Sequence, residues 1–130
     1  MLAEDKAENS LHEHKLKRLL AKSQRVCTAR EFRKIMQQGL TFKGNALLIT
    51  WIPRKGETRL GITVTRKYAG AVERNRFKRI VREAFRFMVS SGLVRSLPVQ
   101  VDCNIRPRKN EITFSECVQD FQAFFALFAK

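Results

Sequence analysis

The stretch "AVERNRFKRIVREAFR", residues 71–86, sets Arg74, Arg76, Lys78, Arg79, Arg82 and Arg86 among apolar residues at regular spacing. Advancing about 100° per residue from Phe77 brings Ile80, Val81, Ala84, Phe85, Met88 and Val89 into one broad sector. Asn75, Lys78, Arg79, Arg82 and Arg86 fall on the opposite side, with Arg76 at its edge. The spacing predicts one amphipathic helix, its apolar stripe docked on a core and its back nearly all cation. Ser90-Ser91-Gly92 ends it.

A charge run is usually a solvated face, but such faces mix both signs, because like charges four apart repel. Here Glu73 and Glu83 are the only acids between residues 66 and 86. So one-sided a face loses stability unless an anion neutralises it. Arg predominates over Lys, and its planar fork suits two-point contact with phosphate oxygens. Just upstream, Arg66-Lys67 and the helix start at Gly70 bring further cations and free backbone amides to one place, a natural phosphate site.

Outward from this helix, "TRLGITVT" before it alternates Leu60, Ile62 and Val64 with Arg59, Gly61 and Thr63, the period-2 pattern of a strand buried on one face. "NALLITWI", residues 45–52, is rich in strand formers and Pro53 is expected to stop its ladder. With the polar turn Arg54-Lys55-Gly56-Glu57 between them, the two strands are predicted to form a hairpin. Thr28-Ala29-Arg30-Glu31 has capping-box spacing and opens a helix whose stripe is Phe32, Ile35 and Met36, with Gly39 able to take a left-handed turn at its end. After the basic helix, "LPVQVDCNI" sets Val99, Val101, Cys103 and Ile105 against Gln100, Asp102 and Asn104, another half-buried strand. A second capping spacing, Thr113 with Glu116, opens a last helix carrying Val118, Phe121, Phe125 and Phe128 on one side. The order is α, β, β, α, β, α, with room for a short extra strand near Phe42: an α+β fold with a small, mainly antiparallel sheet covered by helices.

The totals agree with one core. A chain of 130 residues that is 44% hydrophobic, with ten Phe, is sized for one domain and needs no staples. Residues 1–24 read as a polar, flexible extension and residues 25–130 as the domain. A formal charge of +14 and a pI near 10.6 describe a polycation whose default partner is nucleic acid. The longest apolar run, Ala46-Leu47-Leu48-Ile49, is far too short to span a bilayer, so no membrane role is expected. The N-terminal "MLAEDKAENS" lacks the apolar core of a secretory signal, which places the protein in the cytoplasm. Cys27, Cys103 and Cys117 are odd in number and form no C-x-x-C pair, which fits reduced, small, buried or half-buried residues. His12 and His14 lack neighbouring ligands for a metal site. No Walker loop, H-E-x-x-H or G-x-S-x-G is present, and the acids are too scattered for a two-metal site.

Arg74-Asn75-Arg76, followed by Lys78-Arg79 and Arg82-Glu83-Ala84-Phe85-Arg86, resembles the "RNR" signature of the protein subunit of bacterial ribonuclease P. "EFRKIMQQG" before the strands, "RLGITVTRK" leading into the motif, a late strand and a Phe-rich last helix follow that family's order over residues 25–128. The resemblance implies an enzyme whose catalyst is a large RNA with bound magnesium ions, and no catalytic side chain on the protein. It implies two partners, the ribonuclease P RNA subunit and precursor tRNA, no small-molecule substrate, and hydrolysis of one phosphodiester to leave the mature tRNA 5′ end. It also implies a left-handed βαβ crossover, against the general rule of handedness. Carried over by motif, Arg66, Lys67, Arg74, Asn75, Arg76, Lys78, Arg79, Arg82 and Arg86 are assigned to RNA binding. Phe32, Met36 and Thr50 are assigned to a cleft for the single-stranded 5′ leader. The family commonly has aromatics at the positions of Met36 and Thr50, and Ala69-Gly70 shifts its usual glycine by one position. Magnesium is expected mainly through the RNA subunit, and the sparse acids suggest that any cation on the protein itself would sit in a site shared with RNA phosphates.

Two other classes share some of these features. A structural ribosomal or RNA-chaperone protein would have the charge and the mixed fold without the motif. A DNA-binding module would be expected to show a helix-turn-helix pair, and none precedes the basic helix.

Overall fold

The computed structural model describes residues 24–129, so the expectations for the N-terminal extension and for His12 and His14 lie outside the described residues. Seven elements follow one another: α1 (Ala29–Gln38), β1 (Leu40–Lys43), β2 (Leu47–Arg54), β3 (Arg59–Ile62), α2 (Ala71–Ser90), β4 (Gln100–Pro107) and α3 (Phe114–Ala126). This is the expected α+β order with the short extra strand in place as β1. Both capping boxes form: Thr28 and Glu31 exchange bonds at the start of α1, and Thr113 and Glu116 at the start of α3. Among the described residues no helix is long and apolar enough to cross a membrane.

The strands stand in the order β1-β2-β4-β3. β2 runs antiparallel to both neighbours, while β3 pairs with β4 in parallel, so β3, α2 and β4 make a βαβ unit. The expected hairpin of β2 and β3 is therefore wrong: β4 inserts between them. Alternation tells which face of a strand is buried and nothing of its partner. At the start of the β3–β4 pair the Thr58 amide and hydroxyl both donate to the side-chain oxygen of Gln100, 42 residues away, at 3.0 and 2.7 Å.

Two punctuation signals also act differently from expectation. Pro53 does not stop the ladder but pairs in register with Val101. β1 reaches only from Leu48 to Trp51 of β2, so Pro53 lies where β2 has an open edge that needs no donor. Gly39 ends α1 in extended backbone, φ −81°, and not in a left-handed turn. Its reason is space: a Cβ there would lie 2.4 Å from the Ile35 carbonyl oxygen and 2.8 Å from that of Trp51. Positive φ is found instead at Gly56, 99°, in the turn after β2, and at Gly92, 81°, just after α2.

The core fills one face of the sheet. Phe77, Val81, Ala84, Phe85, Met88 and Val89 of α2 are buried, as the helical count requires. Phe121, Phe124 and Phe125 of α3 join them over Leu47, Ile49, Val101, Cys103 and Ile105. Trp51 takes this face too, its ring edge-on to Phe128 at 4.7 Å between centroids. α3 is latched to the β1–β2 turn by Asp120, whose buried carboxylate accepts the amides of Asn45, Ala46 and Leu47 at 2.9, 2.8 and 3.0 Å.

The opposite face carries Thr41, Thr50, Arg59, Asp102, Asn104 and Arg106, since residues paired across strands share a side. β4 is accordingly not half-buried: Asp102 and Asn104 are 7% and 1% exposed, because α1 lies over this face. Cys103 and Cys117 are buried, and burial pushes the Cys117 thiol up to about 12. Cys27 is exposed, against expectation, with its thiol donating to the Arg25 carbonyl at 3.2 Å.

Candidate nucleic-acid interface

The back of α2 is built largely as the periodicity predicts, except that Lys78, about 100° round from Phe77 on the helical count, stands on the flank beside Phe85 and Val89 and not on the back. Asn75, Arg76, Arg79 and Arg82 are exposed, Lys78 and Arg86 half-buried, and Arg66 and Lys67 stand exposed on the turn before the helix. Among the described residues, the ion pairs join Arg54 and Arg59 to Asp102, Arg59 to Glu31 and Lys109 to Glu116. No cation of α2 or of the preceding turn is neutralised by them. The consequence shows at Arg82, whose guanidinium is held below its ordinary value first by burial and then by the positive charges of Arg25 and Arg86. Such a cluster favours an anion that can lie against it.

The RNR triplet is divided among three tasks. Arg74 is half-buried and donates to the Ala69 carbonyl at 3.0 Å, so part of its work is to fasten the turn that enters α2. Gly70 caps the helix without a side-chain bond. Asn75 points to solvent. Arg76 faces the far flank, a cavity of about 320 Å³ floored by Tyr68, Phe77, Ile80 and Ile112. Glu73 and Glu111 also line that cavity, and their charge makes it a poor phosphate site.

The near flank is different. A cleft of about 190 Å³ opens between α1, β3 and α2, lined by Arg25, Val26, Phe32, Gly61, Lys78 and Arg82. Phe32 lies flat enough on β3 that a Cβ at Gly61 would stand 2.6 Å from its Cε1, so glycine makes the room. Met36 continues the same side of α1, 40% exposed, its sulfur accepting from the Asn104 amide at 3.4 Å. Phe32 thus lines the cleft, and Met36 stands one turn further along α1, outside its lining. Thr50 is on the same face but is 1% exposed, its hydroxyl bonded to Thr41 at 3.0 Å. It shapes the floor and has no surface to offer a base.

Three residues on this surface escape the motif. Arg25 runs beside β3, bridged to Leu60. Asn104 is held between Met36 and the Thr63 hydroxyl, which donates to it at 3.0 Å. Arg106 reaches toward Thr50 at 3.4 Å, and its buried Nε has no partner among the described residues. Extending the alternation of β4 by two residues would have put Arg106 on the face of Asp102 and Asn104.

α1 is held over this floor by charge. Glu31 accepts at one oxygen from the Thr28 amide and hydroxyl, each at 3.1 Å, and meets Arg59 with the other at 2.5 Å. Partial burial alone would raise the Glu31 carboxyl, but the Arg59 guanidinium and the Thr28 and Cys27 amides hold it down to about 2. Arg59 in turn grips Asp102 with two bonds of 2.8 Å, and Arg54 adds a third at 3.3 Å.

The architecture and the motif have close counterparts. A family model described as Ribonuclease P matches residues 20–128. The ribonuclease P protein component of Chlamydia pneumoniae is 35% identical over 108 residues, covering 78% of this chain and 72% of its own. That of Chlamydia abortus is 38% identical over 104 residues, 78% of this chain and 71% of its own. The solved RNase P protein from Thermotoga maritima superposes with a TM-score of 0.63 at 27% identity, over 78% of this chain and 94% of its own. The Staphylococcus aureus RNase P protein shares the fold, with a TM-score of 0.66 at 22% identity over 84% of this chain and all of its own. With the family model spanning residues 20–128 and relatives at 35% and 38% identity, the chain belongs to the ribonuclease P protein family.

Proposed function

We propose that the chain binds the catalytic RNA subunit of ribonuclease P through the cationic back of α2, and the single-stranded 5′ leader of precursor tRNA in the cleft between α1 and the sheet. Membership of the family makes it part of an endoribonuclease and implies an RNA partner. The observation that carries the finer reading is that Lys78 and Arg82 of the motif helix and Phe32 of α1 line one cleft. A cation for the backbone beside an aromatic face for a base is the arrangement that holds single strands.

The chain's own part in the reaction is to bind and orient. Arg66, Lys67, Arg79 and Arg86 present charge to a folded RNA, and Lys78, Arg82 and Arg106 present it where a leader phosphate would pass. Among the described residues no group of three or more His, Cys, Asp or Glu could hold a metal ion. A magnesium ion bound at this surface would share its ligands with RNA phosphates. The work is taken to be cytoplasmic, as the sequence suggests.

Cleavage of a 5′-extended precursor tRNA at low magnesium tests this, with ribonuclease P RNA alone, the protein alone and both together. Correct 5′ maturation only with both is the expected result, weakened by Arg76→Ala. Cleavage by the protein alone would overturn the assignment of the catalyst. Tight RNA binding with no gain in cleavage would favour an RNA chaperone.

A further inference from the structure

α1 is a lightly anchored helix: its one buried residue is Ile35. Phe32 rests on Gly61 and Met36 on Asn104, both only partly covered. Against so small an apolar contact, the ionic tie at its first turn is a large part of what holds it. Arg59 is the centre of that tie. Its guanidinium is 18% exposed and lies between Glu31 of α1 and Asp102 of β4, which are 30% and 10% exposed. Nε and one terminal nitrogen engage Asp102, and that same nitrogen reaches Glu31.

We propose that Arg59 is the positioning residue of the cleft: by bridging Glu31 to Asp102 it fixes the height of Phe32 and Met36 above the strand floor, and so the fit of the cleft to a leader, given that the cleft receives one. The geometry needs an arginine. A lysine has three donors but only one nitrogen, and so cannot reproduce the two-point fork of Nε and Nη2 on Asp102. The bridge also leaves this end of the face balanced, with Arg54 and Arg59 offset by Asp102 and Glu31. Uncompensated charge is thereby confined to the Lys78, Arg82 and Arg106 side.

The informative variant is Glu31→Gln. Glutamine keeps the capping box, since it can still accept from the N-cap, but loses the charge facing Arg59. Arg59→Leu alone would leave the buried Asp102 carboxylate with only the 3.3 Å contact to Arg54 and risks unfolding, so Arg59→Leu with Asp102→Leu is the companion, replacing the pair by apolar bulk. Two readouts are taken on the full chain: hydrogen exchange of the amides of residues 29–38, and the KM of the reconstituted holoenzyme for long-leader and short-leader precursor tRNA.

Both variants are expected to exchange faster in α1 with the other elements unchanged. The KM advantage of the long leader is expected to fall about three- to five-fold, the scale of a partly exposed ion pair, with kcat and affinity for the RNA subunit kept. Unchanged exchange in α1 would overturn the proposal. Faster exchange with an intact leader advantage would overturn it too, leaving Arg59 a structural residue only. A wild-type holoenzyme with no leader advantage would instead sink the reading of the cleft, and the proposal with it.

Discussion

On one face of the sheet Leu47, Ile49, Cys103 and Ile105 meet the apolar stripes of α2 and α3; on the other, Thr50, Asp102, Asn104 and Arg106 meet one ten-residue helix that buries a single side chain. The first face is dry and aromatic, with the Phe125 ring in contact with those of both Phe121 and Phe124. The second is polar, tied by hydrogen bonds of the buried Thr50 and Asn104 and by ion pairs in which Arg54, Arg59 and Glu31 keep part of their surface in water. If the proposed cleft takes the leader, stability and binding fall on opposite sides of the same strands. The arrangement is economical because a side chain committed to close apolar contact on one side leaves its neighbours in the chain free to face a ligand on the other.

The division can be broken first on the dry side. Phe124→Ala should cost about 3–5 kcal/mol, read as a lower midpoint in urea denaturation, because that ring touches Phe42, Trp51 and Phe128 at once. Asp120→Ala should cost about 2–3 kcal/mol by leaving three amides without their acceptor, with Asp120→Asn recovering part of it in the same assay. On the charged back of α2 the sign of the comparison reverses. Arg82→Ala should leave stability within about 0.5 kcal/mol, yet lower RNA affinity about ten-fold and reduce the slope of log affinity against log salt by roughly 0.7 to 0.9. A stability loss larger than the binding loss would show that Arg82 belongs to the scaffold. The smallest effect is expected in the cleft: Met36→Phe should tighten a leader-bearing precursor by about two- to three-fold through better stacking, with an unchanged melting temperature. A weakened precursor there would mean that the Asn104 contact to sulfur matters more than the platform.

The elements were legible because their signals are local. Two capping boxes, a stripe at helical spacing in α2 and the alternation of β4 each lie within a few residues, and each forms. The cation face was legible for the same reason, since Glu73 and Glu83 alone interrupt it. What could not be read is what depends on distant chain. β4 separates β2 from β3, and no pattern within either strand says so. Thr50 reads as an outward residue of a strand, and only the arrival of α1 and β1 over it makes it buried. Gly39 and Pro53 are known breakers whose effect here is set by neighbours, the Trp51 carbonyl for one and the end of β1 for the other. Arg59 reads as a solvated charge; its two carboxylate partners lie 28 residues before it and 43 after it in the chain.

The place of β4 has a kinetic side. It is the last strand made, yet it is the inner strand to which both β2 and β3 attach. Until residue 107 has been synthesised, β2 and β3 have no route into a common sheet, and Asp120 must then close on amides 73 to 75 residues earlier. Folding therefore waits for the C-terminal third of the chain, and a nascent or truncated form lacking it exposes unpaired strand edges on a polycation. Such a fragment would be a substrate for chaperones, or would coat RNA without order, well before it could become part of an enzyme.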